Sequence, residues 1–454
     1  MIDWETVSAV RFGTGLPAVP GRPEEMLRRI EGKDTNARAF PVAPRPRRMA
    51  LARDYAEIRK RKRQKTLTEA EDKRLRKAFR KGVTEVLADD LRATLLRGAA
   101  GADPFRERLV WFWRNHFTVS GKSSPVHRLF IEEYVDSAIR PHVGGRFVDM
   151  LIAAETHPAM LFYLDQDASI GPNSPVGRRT GKGLNENLAR EILELHTMGV
   201  GAPYSQDDVR EFAELLTGIG IDPRGRTAFR RRRAEPGADV VLGRRYGAPD
   251  GPEAIRSALV DIAHHPATAR HLARKIAAHF IADTPPADLV EEMADAYLAG
   301  DTALVPVYRV LLDHPSARTL PGAKAKPPFD FIVSALRALG LDRKALAAMS
   351  PGKLRRLFVA PLSVMGQPWH RPTGPDGWPD SVDAWITPQG LAGRIQWAMS
   401  APAALSPTLP PPAAFGERAL GRLLRDDTRA ALAQAPTSWE GVGIALAAPE
   451  FQTR

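Results

Sequence analysis

The chain has 454 residues, of which 43% are apolar and 26% charged, proportions typical of a globular protein with a large core. It contains no cysteine, which excludes disulfides, thiolate nucleophiles, iron–sulfur clusters and cysteine-bound zinc. The formal net charge is +12, and no apolar stretch approaches the length of about 18 residues that a membrane span requires.

The N-terminal segment, MIDWETVSAVRFGTG, lacks the features of a secretory signal peptide. It has no basic first region, no apolar core and no small-residue cleavage site. We therefore expect a cytoplasmic protein. The absence of cysteine does not decide the compartment, because a cysteine-free chain also tolerates an oxidising environment.

The positive charge is concentrated in one predicted pair of helices. Residues 45–81 hold sixteen Lys and Arg against five Asp and Glu, so the rest of the chain is nearly neutral. Thr68 and Glu71 have the spacing of a capping box, which predicts a break near Thr66 and a new helix after it. A solvated basic face explains this pattern, and an acidic lipid or nucleic-acid surface is the alternative. Because no recognition motif accompanies the charge, a nucleic-acid partner is not expected.

A polar loop at 165–184 interrupts a region whose apolar spacing is otherwise helical, from about residue 84 to 216. The loop carries Arg178, Arg179 and Lys182 just before the next predicted helix, and an anion at that helix N-terminus is one interpretation of them. A basic ordered loop is the other. The glycine spacing is not that of a Walker A loop.

The pattern predicts a mostly α fold: an irregular multi-helix body, a small β-hairpin within 221–250 and a Pro/Trp-rich wrapping loop near 361–390. We expect three parts: an N-terminal segment with the basic helical pair (1–99), a helical core (100–345), and a C-terminal loop with helices packed on that core (346–454). Three His-Pro steps follow apolar helices and predict helix joints, because proline favours the first helical position. They are His157-Pro158, His265-Pro266 and His314-Pro315.

The densest polar grouping lies on a predicted helix over 185–196. At 100° per residue, Asn185 and His196 fall close together beside the apolar stripe, while Arg190 and Glu194 form a charge pair on the opposite side. An exposed helix with an N-terminal cap and a C-terminal histidine explains these residues. In the alternative, a histidine moves protons in a polar cleft.

His116 is the second histidine candidate, in the apolar helix that contains WFWRNHFTV. It is either a core histidine with its hydrogen bonds satisfied or part of that cleft. No His-x-x-x-His or Glu-x-x-His spacing accompanies either histidine, so any metal would need ligands from distant segments. The cleft hypothesis assigns a catalytic site to five residues: His116, Asp165, Arg190, Glu194 and His196.

Six segments in chain order resemble the bacterial domain-of-unknown-function family numbered 1800, across essentially the whole chain. They are FWRNHFTVSG (112–121), HPAMLFYLDQDASIGPNSP (157–175), NENLAREILELHTMGVGAPYSQDDVREFAELLTG (185–218), HPATARHLARKIAAHF (265–280), KAKPPFDFIVSALRALG (324–340) and MGQPWHRPTGPDGWPDSVDAW (365–385). The resemblance implies a mostly helical body and no established activity. Its motif residues here are Asn115, His116, Asp165, Asn185, Glu186, Asn187, Arg190, Glu191, Glu194 and His196.

The resemblance also bears on location, partner and activity. Members of that family are often exported, which leaves a periplasmic location open, and they are often encoded beside a sulfatase-like family numbered 1501, which implies a partner. Relatives usually carry a His-Asp pair before the Leu-Gly of the 221–250 segment. Here Ala234 and Glu235 occupy that place, so any chemistry of the pair would be altered or lost.

Three functional hypotheses follow. The first is a helical protein that acts in a complex, the second a hydrolase-like enzyme with a His/Glu/Arg cleft, and the third an anion or nucleic-acid binder that uses the arginine-rich segments. A complex would need an exposed apolar patch of several hundred Å2 without converging polar groups, whereas an enzyme would need a deep pocket with titratable groups of perturbed pKa. Cofactor, metal and oligomeric state are left open by the sequence.

Overall fold

The computed structural model describes residues 3–17, 21–121, 124–247, 251–319 and 322–454. Helices joined by short connections dominate it, and two small antiparallel sheets are its strand elements in those ranges, so the predicted mostly α fold is confirmed. No helix of the described part is both long enough and apolar enough to cross a membrane.

The N-terminal helices include the predicted basic pair, and the capping box is present. The Thr68 hydroxyl accepts the Glu71 amide at 3.3 Å, while the Glu71 carboxylate accepts the Thr68 amide at 3.0 Å. The two long helices pack through a small apolar cluster in which Tyr55 stacks on Phe79 at 4.9 Å between ring centroids. The helices are α1 (Trp4–Arg11), α2 (Pro23–Glu31), α3 (Thr35–Ala39), α4 (Arg45–Arg63) and α5 (Glu69–Ala100).

The central region folds as short helices around the largest apolar cluster of the described chain. Two of its helical segments are π-helices, Val135–Ile139 and Ile192–His196. The α-helices are α6 (Pro104–His116), α7 (Pro125–Arg128), α8 (Ile131–Tyr134), α9 (Phe147–Glu155), α10 (Pro158–Tyr163), α11 (Pro175–Thr180), α12 (Asn187–Glu191) and α13 (Gln206–Leu215), with 3-10 turns at Arg140–His142 and Gln166–Ala168.

The predicted hairpin is present beside a second one. Strand β3 (Asp239–Val241) pairs with β4 (Arg244–Tyr246), and β1 (Ile219–Ile221) pairs with β2 (Thr227–Phe229), with Gly220 opposite Ala228. A 3-10 turn, Arg231–Arg233, connects the hairpins. Four helices complete the cluster: α14 (Pro252–Ala263), α15 (Pro266–Phe280), α16 (Ala287–Ala299) and α17 (Leu304–Asp313), followed by a 3-10 turn at Pro315–Arg318.

The C-terminal helices form a second apolar cluster with the end of α5. They are α18 (Pro328–Leu339), α19 (Arg343–Ala347), α20 (Pro351–Leu354), α21 (Ala360–Val364), α22 (Val382–Trp385), α23 (Pro388–Leu405), α24 (Pro412–Leu420), α25 (Asp426–Gln434), α26 (Ser438–Ala447) and α27 (Pro449–Gln452), with a π-helix at Arg355–Val359 and a 3-10 turn at Gly421–Leu423. The division into 1–99, 100–345 and 346–454 stays a prediction.

The wrapping segment, residues 365–381, runs between α21 and α22 and is held to α6. The Asn115 amide donates to the Trp378 carbonyl at 2.9 Å, and its oxygen accepts the Trp378 amide at 2.8 Å. Gly377 has φ +81°, and a Cβ there would lie 2.5 Å from the Asn115 carbonyl oxygen, so only glycine fits this approach. The wrapping segment is therefore tied to the helix that carries His116.

Candidate functional site

The helix predicted over 185–196 changes type in its middle. It is α-helical from Asn187 to Glu191 and π-helical from Ile192 to His196. Because a π-helix bonds each amide to the carbonyl five residues earlier, the projection at 100° per residue fails over its second half. The N-cap position of this helix is Glu186, which makes no side-chain capping bond; Asn185 stands one residue earlier and accepts the Asn187 amide at 3.0 Å, so it is not the N-cap that the simpler interpretation expected. π-Helices are rare and occur frequently at functional sites.

Three of the five predicted catalytic residues lie away from the histidines. Arg190 pairs with both Glu186 and Glu194 at 3.1 Å in a partly exposed ladder. Asp165 is exposed and has a left-handed backbone, with φ +57°. Within the described ranges, no hydrogen bond or ion pair joins Arg190, Glu194 or Asp165 to either histidine. Their catalytic role stays a prediction.

His116 and His196 are brought together, and Glu155 joins them. Nε2 of His116 lies 3.0 Å from the backbone oxygen of His196, and the ring centroids are 5.8 Å apart. Nδ1 of His196 lies 2.8 Å from a carboxylate oxygen of Glu155. All three side chains are at most 2% exposed. The ends of α6, α9 and the π-helix thus place three ionisable groups in one buried position, the His116–His196 site.

The hydrogen-bonding state of His116 follows from its partner. A carbonyl oxygen only accepts, so Nε2 of His116 carries the proton. Burial lowers the pKa of His116 well below its usual value, and the ring is therefore neutral. Its Nδ1 is then an acceptor, and it has no hydrogen-bond partner among the described residues.

His196 and Glu155 are close without being hydrogen-bonded. Neither ring nitrogen of His196 and neither carboxylate oxygen of Glu155 has a partner of hydrogen-bond geometry in the described part of the chain, although the two groups approach to 2.8 Å. Catalytic hydrogen bonds are often poorly aligned without substrate and tighten when it binds. The pair therefore has buried nitrogens and oxygens that can still form hydrogen bonds.

Half-buried ionisable groups lie beside this site. Burial raises the pKa of Glu191, and the nearby carboxylates of Glu194 and Glu155 raise it further against the opposing effect of His196. Burial lowers the pKa of Lys275 to about 8. The pKa of His271 is lowered to about 4 by burial and then by the charge of Lys275. Such shifts concentrate where chemistry occurs, although structural networks also produce them.

His271 is fitted closely against the turn that follows the π-helix. Its Nε2 donates to the Leu195 carbonyl at 3.3 Å. Gly199 has φ +93°, and a Cβ there would lie 2.6 Å from Nδ1 of His271. Only glycine satisfies both the left-handed backbone and this approach. The turn at Gly199 therefore fixes the ring of His271 beside the site.

The remaining sequence-predicted residues lie on the surface. Arg178, Arg179 and Lys182 are exposed at the end of α11 and after it, and their anion-binding role stays a prediction. Glu235 accepts the Asn173 amide at 2.9 Å and so holds this loop. No group of three His, Asp or Glu side chains in the described ranges is arranged to bind a metal.

Sequence reasoning missed Glu155, His271 and Lys275. Each had a weak signal, a polar residue on or beside the apolar stripe of a predicted helix, as in FVDMLIAAE and ARHLARKIAAHF. That signal does not reveal which helices meet. The grouping depends on α9, α15 and the π-helix converging, which a single sequence does not show.

Comparison with known proteins gives one match. A sequence model described as "Protein of unknown function (DUF1800)" matches residues 24–453. Neither a curated protein nor a solved structure matches the chain. The arrangement of side chains is therefore the basis for assigning a function.

Proposed function

This chain belongs to the DUF1800 family, whose description names no function, and from its own residues we propose that it is a hydrolase-like acid–base enzyme. The catalytic centre of the proposal is the His116–His196 site with Glu155. Glu191 and Lys275 stand on its outer side. Action in a complex, the first hypothesis from the sequence, is the second candidate function.

One observation carries the proposal: buried imidazole nitrogens without partners converge beside a buried carboxylate. Leaving buried polar groups unpaired costs about 1–3 kcal/mol each. A purely structural histidine pair would be expected to satisfy them, as His265 and His314 do at helix ends. The convergence of ionisable groups meets one part of the enzyme criterion set from the sequence, and none of the three side chains His116, His196 and Glu155 lines the pocket beside α6.

The geometry supports a division of roles. Glu155 lies 2.8 Å from Nδ1 of His196; in the proposal this pair aligns when substrate binds, the carboxylate accepts the Nδ1 proton, and Nε2 acts as the base. In the proposed reaction Nε2 of His196 removes a proton from water, and the water oxygen attacks the electrophilic atom of the substrate. Glu191, whose raised pKa favours the protonated form, gives its proton to the leaving group. A proton then passes from His196 back to Glu191 through solvent, and water has been added across the broken bond.

Lys275 supplies charge to this reaction. With a pKa of about 8 it is mostly protonated at neutral pH, and no hydrogen bond or ion pair holds its ammonium within the described ranges. A free cation in a partly desolvated site stabilises negative charge that develops on an oxygen in the transition state. Lys275 is therefore assigned this role.

The test is hydrolysis of chromogenic 4-nitrophenyl substrates: an ester, a phosphate, a sulfate and a neutral glycoside. The wild type should hydrolyse at least one, and His196→Asn and Glu191→Gln should each lose at least about a hundredfold in rate, as removal of an acid or base does. Glu186→Gln, in the exposed ladder, is the matched control and should retain the rate. Absence of turnover on all four, or equal rates in the three variants, would exclude the proposed function.

A second candidate function, action in a complex, is supported by the basic helical pair. Helix α4 packs mainly on α5 and α7, and most of its basic side chains are exposed. We propose that this surface contacts an acidic face of a partner of the family numbered 1501. Arg59→Gln, Arg63→Gln and Lys73→Gln combined should abolish co-purification with that partner, whereas Arg178→Gln with Arg179→Gln should not. Unchanged co-purification of the first variant would contradict this surface.

The cytoplasmic location is likewise a proposal. The periplasmic location that the resemblance leaves open is the alternative. Fractionation of cells that express the untagged chain distinguishes the two. Recovery with the periplasmic fraction would replace the cytoplasmic location.

A further inference from the structure

A pocket of about 100 Å3 lies between α6 and the wrapping segment. Helix α6 contributes Trp111 and Arg114, and the wrapping segment contributes Trp369, His370 and Trp378. This volume exceeds the space that one water needs, about 10–15 Å3, several times over. None of the residues assigned above to acid–base chemistry lines it, so the inference is independent of the proposed function.

Three buried nitrogens on the wall of this pocket lack hydrogen-bond partners among the described residues. They are Nε1 of Trp111, Nε1 of Trp369 and Nδ1 of His370. Trp111 is 8% exposed and His370 6% exposed. Nε2 of His370 donates to the Glu132 carboxylate at 2.7 Å, and burial lowers the pKa of His370 to about 4, so its Nδ1 is an acceptor. Two donors and one acceptor of the lining residues thus lack partners; each has almost no accessible area, so a ligand contacts them only where these rings turn towards it.

The ionised groups that line the pocket already have partners. Arg114 pairs with Glu132 at 2.8 Å. Asp330 pairs with Arg454 at 2.5 Å and also with Arg108. Asp380 pairs with Arg454 at 3.6 Å and lies 2.9 Å from Nδ1 of His279. Because these charges are paired, the lining favours an uncharged ligand over an anion or a cation.

Aromatic rings form much of the remaining wall. Trp378 and Trp385 lie 6.2 Å apart between ring centroids, and Phe329 stacks on Trp369 at 5.3 Å. Indole rings combine an apolar face with a polar N–H, and so contact molecules that are apolar on one side and hydroxylated on another. Ligand pockets characteristically combine such apolar walls with a few converging polar groups.

We propose that this pocket binds a neutral saccharide unit. The C–H face of a pyranose ring packs on the tryptophan rings, its hydroxyl oxygens accept from the indole N–H groups, and one hydroxyl donates to Nδ1 of His370. The backbone of the wall is set before binding, because Asn115 holds the Trp378 main chain and the His370 carbonyl accepts the Gly121 amide at 3.0 Å. A preformed pocket loses little conformational freedom when a ligand enters.

The test observes the indole N–H groups directly in the full chain. Protein labelled with 15N at the tryptophan indoles is titrated with neutral methyl glycosides of glucose, galactose and N-acetylglucosamine at up to about 50 mM, which detects millimolar dissociation constants. The signals of Trp111 and Trp369 should shift saturably with at least one of them, while that of Trp439, exposed on α26, should not. Methyl glucuronide, the same ring with a carboxylate, should bind at least about tenfold more weakly, since its charge would be buried unpaired.

Variants assign the contacts. Trp369→Phe keeps a ring and removes the N–H, so affinity should fall about three- to tenfold, the effect of one hydrogen bond, whereas Trp439→Phe should leave it unchanged. The inference is overturned if no neutral glycoside produces a saturable shift, if the glucuronide binds equally well, or if Trp111→Phe and Trp369→Phe both bind normally. Should a variant fail to fold, the wild-type indole shifts decide alone.

Discussion

In the part of the chain that the structure describes, the ammonium of Lys275 makes neither an ion pair nor a hydrogen bond. Burial lowers its pKa to about 8, against the attraction of Asp380 and Asp376. Between pH 8 and 10.5 the unfolded chain binds this proton and the folded chain does not, so the unpaired charge reduces stability most at neutral pH and least above pH 10.5. A residue that costs stability where it stands is more easily explained by function than by packing.

We therefore expect Lys275→Met to stabilise the protein. At pH 7 the free energy of unfolding should rise by about 1–3 kcal/mol, because the apolar chain is kept and the buried charge removed, and the gain should shrink as pH approaches 10. Urea unfolding at both pH values measures it. Arg274→Met, one residue away and exposed, is the control and should change little. A destabilised Lys275→Met variant would identify Lys275 as a structural residue.

At the residue scale the sequence indicated His116 and His196 but not their surroundings. Both stand in segments whose apolar pattern is interrupted by polar residues, which is visible in one dimension. Glu155 and Lys275 interrupt their helices in the same way, yet nothing local distinguishes them from surface residues. Arg190 and Glu194 form the charge pair that their spacing predicts, Arg190 also pairs with Glu186, and within the described ranges neither bonds to a histidine.

The three His-Pro steps act as one kind of helix start. In each, Nδ1 of the histidine accepts the amide two residues later, at 3.1 Å for His157, 3.1 Å for His265 and 3.2 Å for His314, while proline occupies the first turn. The predicted helix joints are confirmed. A histidine in this place does what Ser, Asp or Asn does at other helix starts.

His265 tests this capping role on the long helix α15. His265→Ala should lower the free energy of unfolding by about 0.5–2 kcal/mol, the usual value of a lost N-terminal cap. His265→Asn offers another acceptor and should recover most of the loss. Urea denaturation of the three proteins provides the comparison, and equal stability of the Ala and Asn variants would show that the ring contributes by packing instead.

The attachment of the wrapping segment can be tested at Asn115. Asn115→Ala removes the two hydrogen bonds to Trp378, so amide exchange at residues 377–380 should accelerate, with a stability loss of about 1–3 kcal/mol. Hydrogen–deuterium exchange measures the local effect. Asn187→Ala, at an exposed position, is the control. Unaltered exchange at 377–380 would mean that the tryptophans alone hold the segment.

Elements were predicted well where local signals set them and poorly where tertiary contacts did. The capping box at Thr68 and the hairpin at 239–246 follow from short-range hydrogen bonding and turn geometry. The π-helix at Ile192–His196 has no such signal, because one widened turn depends on how its neighbours pack. The relation between Asn185 and His196 was lost for that reason.

Considered as a whole, the molecule buries many histidines in neutral form. For five of them burial is the first cause of a lowered pKa: the pKa of His116 lies well below its usual value, and that of the other four is about 4. The residues are His116, His157, His271, His279 and His370. Between about pH 4 and 6.5 the unfolded chain binds these protons and the folded chain does not. Their contribution to stability is complete above pH 6.5 and declines as pH falls through this interval.

Buried carboxyl groups oppose this effect in part. Burial raises the pKa of Asp239 to about 7 and that of Asp90 to about 6, so in the folded state these groups retain protons that the unfolded chain releases above pH 4. Their contribution therefore grows as pH falls over the same interval. Each group contributes at most about 1.4 kcal/mol per pH unit, and five histidines outweigh two carboxyls.

The net expectation is a protein that loses about 3 kcal/mol of stability between pH 6.5 and 5.5, long before ordinary carboxylates titrate. For a chain of this size that corresponds to a fall of about 3 °C in Tm, measurable by calorimetry in buffers matched for ionic strength. The direction of the change in Tm distinguishes two descriptions of the core. A Tm that stays level or rises over this interval would mean that the histidines take up protons in the folded state, and hence that the His116–His196 site opens to water without unfolding. A falling Tm would mean that protons reach these rings only when the helices separate, so that any substrate must displace the half-buried outer groups to meet them.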